Sequence, residues 1–424
     1  MNPLLPRKYF VPDAEARVMP DGRLYLYGSL DISGNRGYCS EEYRVFSTDD
    51  PAMTRWTDHG VSFRNTKEEP GIPWKGGVTL YAPDAVYKDG KYYLFICGAD
   101  KFEAVAVSDT PYGPFGDAKP VAGADGDGID PSVFVDDDGQ AYYLWGQFSL
   151  KGAKLNDDMC TLDMDSLHTA ILTEQEYGFH EGASIRKRNG KYYIVYTDIS
   201  RGKATCMSYA VADHPLGPYT KGGVIVDNMY CDPSTWNNHG SIQQFNGQWY
   251  IFYHRSSQNG NTCRRVCAEP ITFAEDGSIR EVVMTSQGAA GPLDAFGEID
   301  ASTACRMTGN IYIKPDGVNP DEPNEILTDC GGKNWCGDWA EYRYLDFGEG
   351  ALSCTVNAKG RGKILLRIDG AEKPFCTVDI DSENGFSSFT APVTADVSGV
   401  HPLWIVFNGR GMELDSFTFA KKLK

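Results

Sequence analysis

The stretch NGKYYIVYTDIS, from Asn189 to Ser200, sets a two-residue turn word before an unbroken aromatic and β-branched run. Asn-Gly ahead of such a run signals a hairpin, because a type I′ turn needs positive φ at both central positions. The word recurs as DGRLYLYGSLD from Asp21, DGKYYLFICGAD from Asp89, DGQAYYLWGQF from Asp138 and NGQWYIFYHRSS from Asn246. The turn glycines Gly22, Gly90, Gly139, Gly190 and Gly247 stand 68, 49, 51 and 57 residues apart. A second echo follows the first: EAVAVSDTPYGPF from Glu103 returns as MSYAVADHPLGPY from Met207, with a looser copy from Tyr43. Each unit thus holds four short strands in about 50 residues, the size of one propeller blade. Five units predict an all-β chain whose residues 1–290 form a five-bladed β-propeller.

Beyond the repeats the character changes. Residues 298–424 carry alternating strands such as ALSCTVNA, KILLRIDG and HPLWIVFNG, with turn residues between them, which predicts a β-sandwich (jelly-roll) domain. The 424 residues are 41% hydrophobic, enough for two substantial cores. Forty basic against 58 acidic side chains leave a net charge of −18, which excludes nucleic acid as the default partner. No run approaches the ~18–20 apolar residues of a membrane-crossing helix, so no membrane partner is expected. The opening MNPLLPRKYFVPDAEAR has no apolar segment after a basic start. That predicts a cytoplasmic protein, or a secreted one whose leader has been removed. Twelve scattered cysteines without a CxxC pair read as buried free thiols, not as a zinc site or a disulfide framework.

In a propeller the innermost strand of each blade lines the axis, so the residue opening it faces the pore mouth. Asp13, Asp130 and Glu181 each precede their turn glycine by nine positions, His239 by eight and Asp84 by six. One Asp near a turn is ordinary. Three acids and a histidine in register across four blades are not, because converging carboxylates repel and push a pKa upward. Two uses fit: a cation site, or hydrolysis with one carboxyl protonated and another ionised.

The words NPLLPRKYFVPDAEARV, GIDPSVFVDDDGQAYYLWG, HEGASIRKRNGKYYIVY and NNHGSIQQFNGQWYIFYHR, in that order, resemble glycoside hydrolase family 43 over residues 2–290. The resemblance implies a propeller hydrolase that inverts the anomeric carbon. Asp13 would be the general base, Glu181 the general acid, and Asp130 a third carboxylate that keeps the acid protonated. It puts Tyr81 beside the terminal sugar as an aromatic wall and an arginine of the last blade on that sugar, Arg265 first and Arg264 as the near alternative. His239 matches a histidine near the pore axis, either a hydrogen-bonding core residue or a water-mediated contact to calcium; no cofactor is required, and a structural calcium is possible. GDWAEYRYLDFGEGA and VSGVHPLWIVFNG resemble carbohydrate-binding module family 6, with sugar-stacking positions at Trp335 and Phe386 and a closing polar residue at Glu413. The pattern of that module prefers Trp and Asn at the last two. The implied substrate is a plant cell-wall oligosaccharide or polysaccharide. Terminal α-L-arabinofuranose comes first, β-xylosides second, and a non-catalytic sugar-binding propeller third.

Overall fold

A computed structural model describes residues 1–124, 126, 128–317, 323–329 and 336–422, without the side chains of 329, 336 and 410. Five sheets follow one another along the chain. Blade I is β1–β4 (Glu15–Val18, Leu24–Tyr27, Glu42–Thr48, Thr57–Arg64) and blade II is β5–β8 (Asp84–Lys88, Lys91–Cys97, Glu103–Ser108, Gly116–Pro120). Blade III is β9–β12 (Ser132–Val135, Ala141–Trp145, Lys151–Leu155, Leu162–His168), followed by a single helical turn, α1 (Glu174–Tyr177). Blade IV is β13–β16 (Phe179–Arg188, Lys191–Asp198, Cys206–Ala212, Thr220–Asp227). Blade V has three strands, β17–β19 (Ser241–Phe245, Gln248–Ser257, Gly260–Ile271).

The aromatic runs are continuous because both faces of each blade are buried between neighbours. Along β10, Tyr142 and Leu144 enter the core shared with blade IV, while Tyr143 and Trp145 enter the core shared with blade II. Along β14, Tyr192, Ile194 and Tyr196 face blade III, and Tyr193 and Val195 face blade V. Five such interfacial cores ring the axis. Three hairpins turn as the sequence predicts: Asp89, Asn189 and Asn246 have φ of 50°, 50° and 48°, each before a positive-φ glycine. At Asp21 and Asp138 only the glycine has positive φ, because those loops are longer and close through Gly22 N–H to Met19 O and Gly139 N–H to Asp136 O.

The ring is closed by hydrogen bonds. Ser241 Oγ accepts from Ala16 N and donates to Ala14 O, joining blade V to blade I. Residues 2–4 then run outside β19, with Leu4 N–H on Val266 O and the Asn2 amide bonded to both the N–H and the C=O of Ala268. Two buried ion pairs cross the hub: Arg17 grips Asp84 bidentately (3.0 and 2.6 Å), and Arg186 Nη2 meets Glu15 Oε2 at 2.8 Å. Asp84 therefore does not join the acids at the pore mouth. It lies inside β5, fully buried, and also accepts the Val133 N–H of blade III.

The C-terminal part is one curled sheet around its own core, built from β20–β28 (Leu293–Asp294, Ile299–Asp300, Arg306–Met307, Ile311–Asp316, Asn324–Asp329, Cys336–Asp346, Ala351–Ile368, Cys376–Pro392, Val400–Lys421). It meets the propeller through ion pairs, Arg265 with Glu325 at 2.7 Å and Arg7 with Asp300. The ten cysteines whose side chains are described are free, nine of them buried. No described helix is long and apolar enough to cross a membrane.

Replacing Arg17 by Met strands the Asp84 charge in the hub. Denaturant unfolding should show a loss of about 3–5 kcal/mol, with much of it recovered in Arg17→Met/Asp84→Leu. A loss below about 1 kcal/mol would show that the pair holds nothing.

Candidate active site

The antiparallel blades bring the starts of the first strands and the ends of the second strands to one rim. There they enclose a cavity of about 270 Å³ lined by Asp13, Asp130, Glu181, His239, Arg264 and Tyr81, among others. Asp13 and Asp130 sit just before β1 and β9 in left-handed backbone, φ 57° and 55°, so the chain bends sharply there before entering each strand. Glu181 lies between two irregularities in the β13–β14 pairing. The next residue, Gly182, has φ 66°, and a Cβ there would stand 2.9 Å from His239 Cγ; only glycine lets the imidazole pack this closely behind the acid.

The carboxylates are electrostatically unequal. Asp13 accepts Ser29 Oγ–H at 2.7 Å on one oxygen and Arg264 Nη1–H at 3.0 Å on the other. Burial pushes its pKa up, but Arg264 first, then His239 and the Ser29 hydroxyl, hold it below the usual carboxylate range. Asp130 has no arginine. Burial first, then repulsion from Glu181 and Asp13, raise it to about 7 against the pull of His239 and the Gly182 N–H it accepts. The Gly182 N–H ties Asp130 to the residue beside Glu181. Gln147 Nε2 donates to Glu181 Oε2 at 2.8 Å.

His239 Nδ1 stands 3.8 Å from Asp13 Oδ1 and 3.8 Å from Asp130 Oδ2, bridging the two acids. Burial lowers its pKa, but Asp130, Asp13, Glu15 and Glu181 outweigh burial and raise it. His254 lies behind Asp13, and its pKa falls to about 3 through burial and the Arg264 charge. Being neutral, it accepts the Asp13 N–H on Nδ1 (3.4 Å) and so donates from Nε2 to Asn237 Oδ1 (3.1 Å).

The structure thus gathers Asp13, Asp130, Glu181, His239 and Tyr81 in one hollow, and corrects the arginine. Arg264 enters the cavity, held by two 2.9 Å bonds to Asp31; Arg265, on the opposite face of β19, leaves it for Glu325. In the C-terminal sheet Phe386 lies 5.4 Å from Lys359 Nζ, and Glu413 pairs with Lys359 and Lys314; Trp335 lies outside the described residues. Sequence reasoning missed Gln147, Ser29 and Asp31, which follow second strands and so reach the same rim, and the half-exposed Trp236 at the mouth. Among the described residues no group of three or more His, Cys, Asp and Glu side chains is arranged to hold a metal. With both Asp13 oxygens engaged and a guanidinium alongside, the donors do not fit a directly held calcium ion.

Arg264→Ala should cut kcat/KM on glycosides by about 10²-fold or more, by freeing Asp13 from its cation. Arg265→Ala should leave kcat/KM within about threefold and lower the unfolding temperature. The reverse pattern in steady-state kinetics would contradict this assignment of faces.

Residues 2–279 match the family model described as glycosyl hydrolases family 43, and residues 328–421 that of carbohydrate binding module (family 6). A xylosidase/arabinosidase of Thermoclostridium stercorarium is 31% identical over 99% of this chain and 98% of its own length. The crystal structure of an arabinoxylan arabinofuranohydrolase from Bacillus subtilis, in complex with cellotetraose, superposes with a TM-score of 0.57 at 26% identity, covering 99% and 97% of the two chains. A β-xylosidase/α-arabinofuranosidase from a compost metagenome, with xylotriose and in calcium-free form, gives 0.57 at 31% identity over 67% of this chain and 97% of its own. The chain belongs to glycoside hydrolase family 43.

Proposed function

We propose that the protein is an inverting hydrolase that releases terminal α-L-arabinofuranose from arabinoxylan-type polysaccharide or arabino-oligosaccharides of the plant cell wall. The observation that carries this is the unequal ionisation across the hollow: an arginine-held carboxylate, Asp13, faces a second one, Asp130, that burial and repulsion raise to about 7 beside Glu181. Inversion needs a base and an acid about 6.5–9.5 Å apart with water between them. Asp13 and Glu181, from blades I and IV and lining the same cavity, supply the two. Asp13 takes a proton from that water as its oxygen attacks the anomeric carbon. Glu181 gives a proton to the departing glycosidic oxygen as the bond breaks. Because Gln147 donates to Oε2, the transferable proton belongs on Oε1. Asp130 works through repulsion and is a positioning residue. No step requires a cofactor, and a calcium ion at His239 would be held through water.

A cavity of about 270 Å³ suits one terminal sugar, which supports exo action. β-D-Xylosides are the second substrate, supported by relatives named for both activities. Side-by-side rates on para-nitrophenyl α-L-arabinofuranoside and β-D-xyloside rank the two; a rate on neither would overturn the substrate reading.

Glu181→Gln should lower kcat on natural glycosides by about 10²–10⁴-fold, and far less on 2,4-dinitrophenyl glycosides, whose leaving group needs no proton. Asp13→Asn should lose both activities. An unchanged kcat in Glu181→Gln would end its role as the acid. Asp130→Asn removes the repulsion that retains the acid's proton, so the basic limb of kcat/KM should move to lower pH; a limb that stays in place would contradict this.

A further inference from the structure

A second cavity, of about 360 Å³, lies where the propeller meets the C-terminal sheet. It shares no lining residue with the active-site hollow. Leu5, Met53, Trp56 and Ile313 give it apolar walls, and its charged side chains are Arg7, Arg255 and Arg265 against Glu325. Three guanidinium groups around one carboxylate are unexpected in a chain with a net charge of −18.

Two of the three are matched, since Arg265 pairs with Glu325 and Arg7 with Asp300. Arg255 is not. It is 4% exposed, and among the described residues its one hydrogen bond runs from Nε–H to Cys267 Sγ at 3.1 Å, while Nη1 has no partner. The neighbouring thiols supply no counter-charge: burial pushes Cys231 up to about 12 and Cys267 and Cys305 to about 11, so all three are neutral at physiological pH. Glu269 is the carboxylate whose field reaches Arg255. Its oxygens are already taken by Asn2, Tyr253 and Thr285, and burial raises its pKa to about 7, so it is only partly ionised at neutral pH. A buried cation without an oxygen partner is strongly disfavoured, and an anion in the adjoining cavity relieves it.

We infer that this junction cavity binds a small organic carboxylate, its head on Arg255 and its apolar body against Trp56, Met53 and Leu5. An inorganic anion would satisfy the arginine but leave the apolar walls unfilled. Because the cavity is walled by both the propeller and the C-terminal sheet, an occupant bridges them and stabilises their union.

Thermal unfolding and calorimetric titration of the full chain at fixed ionic strength test this, with benzoate as probe, benzamide as its neutral counterpart, and sodium phosphate and sodium chloride as inorganic references. Benzoate should give a saturable rise in unfolding temperature that benzamide and chloride do not give. Arg255→Met should weaken benzoate binding about tenfold or more, the loss of a charge-assisted hydrogen bond, and Arg255→Lys should recover part of it. Turnover of an aryl glycoside shows that each variant is folded. Ile313→Trp, which fills the cavity from the sheet side, should also remove binding. Equal responses to benzoate and benzamide, equal responses to benzoate and phosphate, or unchanged benzoate affinity in Arg255→Met would each overturn the inference.

Discussion

Like charges cannot share a dry hollow unless their environments differ, and this molecule is organised around making them differ. Asp13 has a fixed cation, Arg264, itself clamped by Asp31. Asp130 faces Glu181 without one, and the imidazole of His239 stands between the two sides. The asymmetry needs five blades. Asp13 comes from blade I, Asp130 from blade III, Glu181 from blade IV, and His239 and Arg264 from blade V. A ring left open between blades V and I would separate Arg264 from Asp13 and let the hollow ionise uniformly. The Ser241 bonds, the strap of residues 2–4 and the buried hub pairs therefore belong to the chemistry as much as to the fold.

The consecutive residues Arg264 and Arg265 on β19 connect this centre to the rest of the chain. One side chain enters the hollow and the next ends on Glu325 of the C-terminal sheet, which also accepts the Gln258 amide at the tip of the β18–β19 hairpin. The same hairpin reaches the rim of the hollow, where Asn261 donates to the Tyr38 hydroxyl and Arg264 lies 4.7 Å from the Tyr38 ring. The C-terminal sheet thus buttresses the strand that carries the arginine on Asp13.

Most of the propeller was legible because burial on both faces forces unbroken aromatic runs, and type I′ turns force Asn-Gly or Asp-Gly before them. The acids were legible because each opens an innermost strand. Asp84 misled because its word resembles that of Asp13, yet it begins its strand while Asp13 stands two residues before its own; that offset separates the hub from the mouth. The choice between Arg264 and Arg265 was not legible. Alternation states only that they oppose, and the pairing shift at Ser256 and Ser257 resets the phase of that strand end. Gln147 and Ser29 carry no motif of their own; they become visible once antiparallel pairing brings the ends of second strands to the mouth.

The most direct test of the account is the anomeric configuration of the sugar at the moment of release. Proton NMR during early turnover of an α-L-arabinofuranoside should show β-L-arabinofuranose first, with the α anomer growing in only by mutarotation. That result requires water delivered by Asp13 opposite the bond that Glu181 protonates. Release of the α anomer first would mean a covalent intermediate on one of these carboxylates, and would contradict the division of roles drawn from their unequal surroundings.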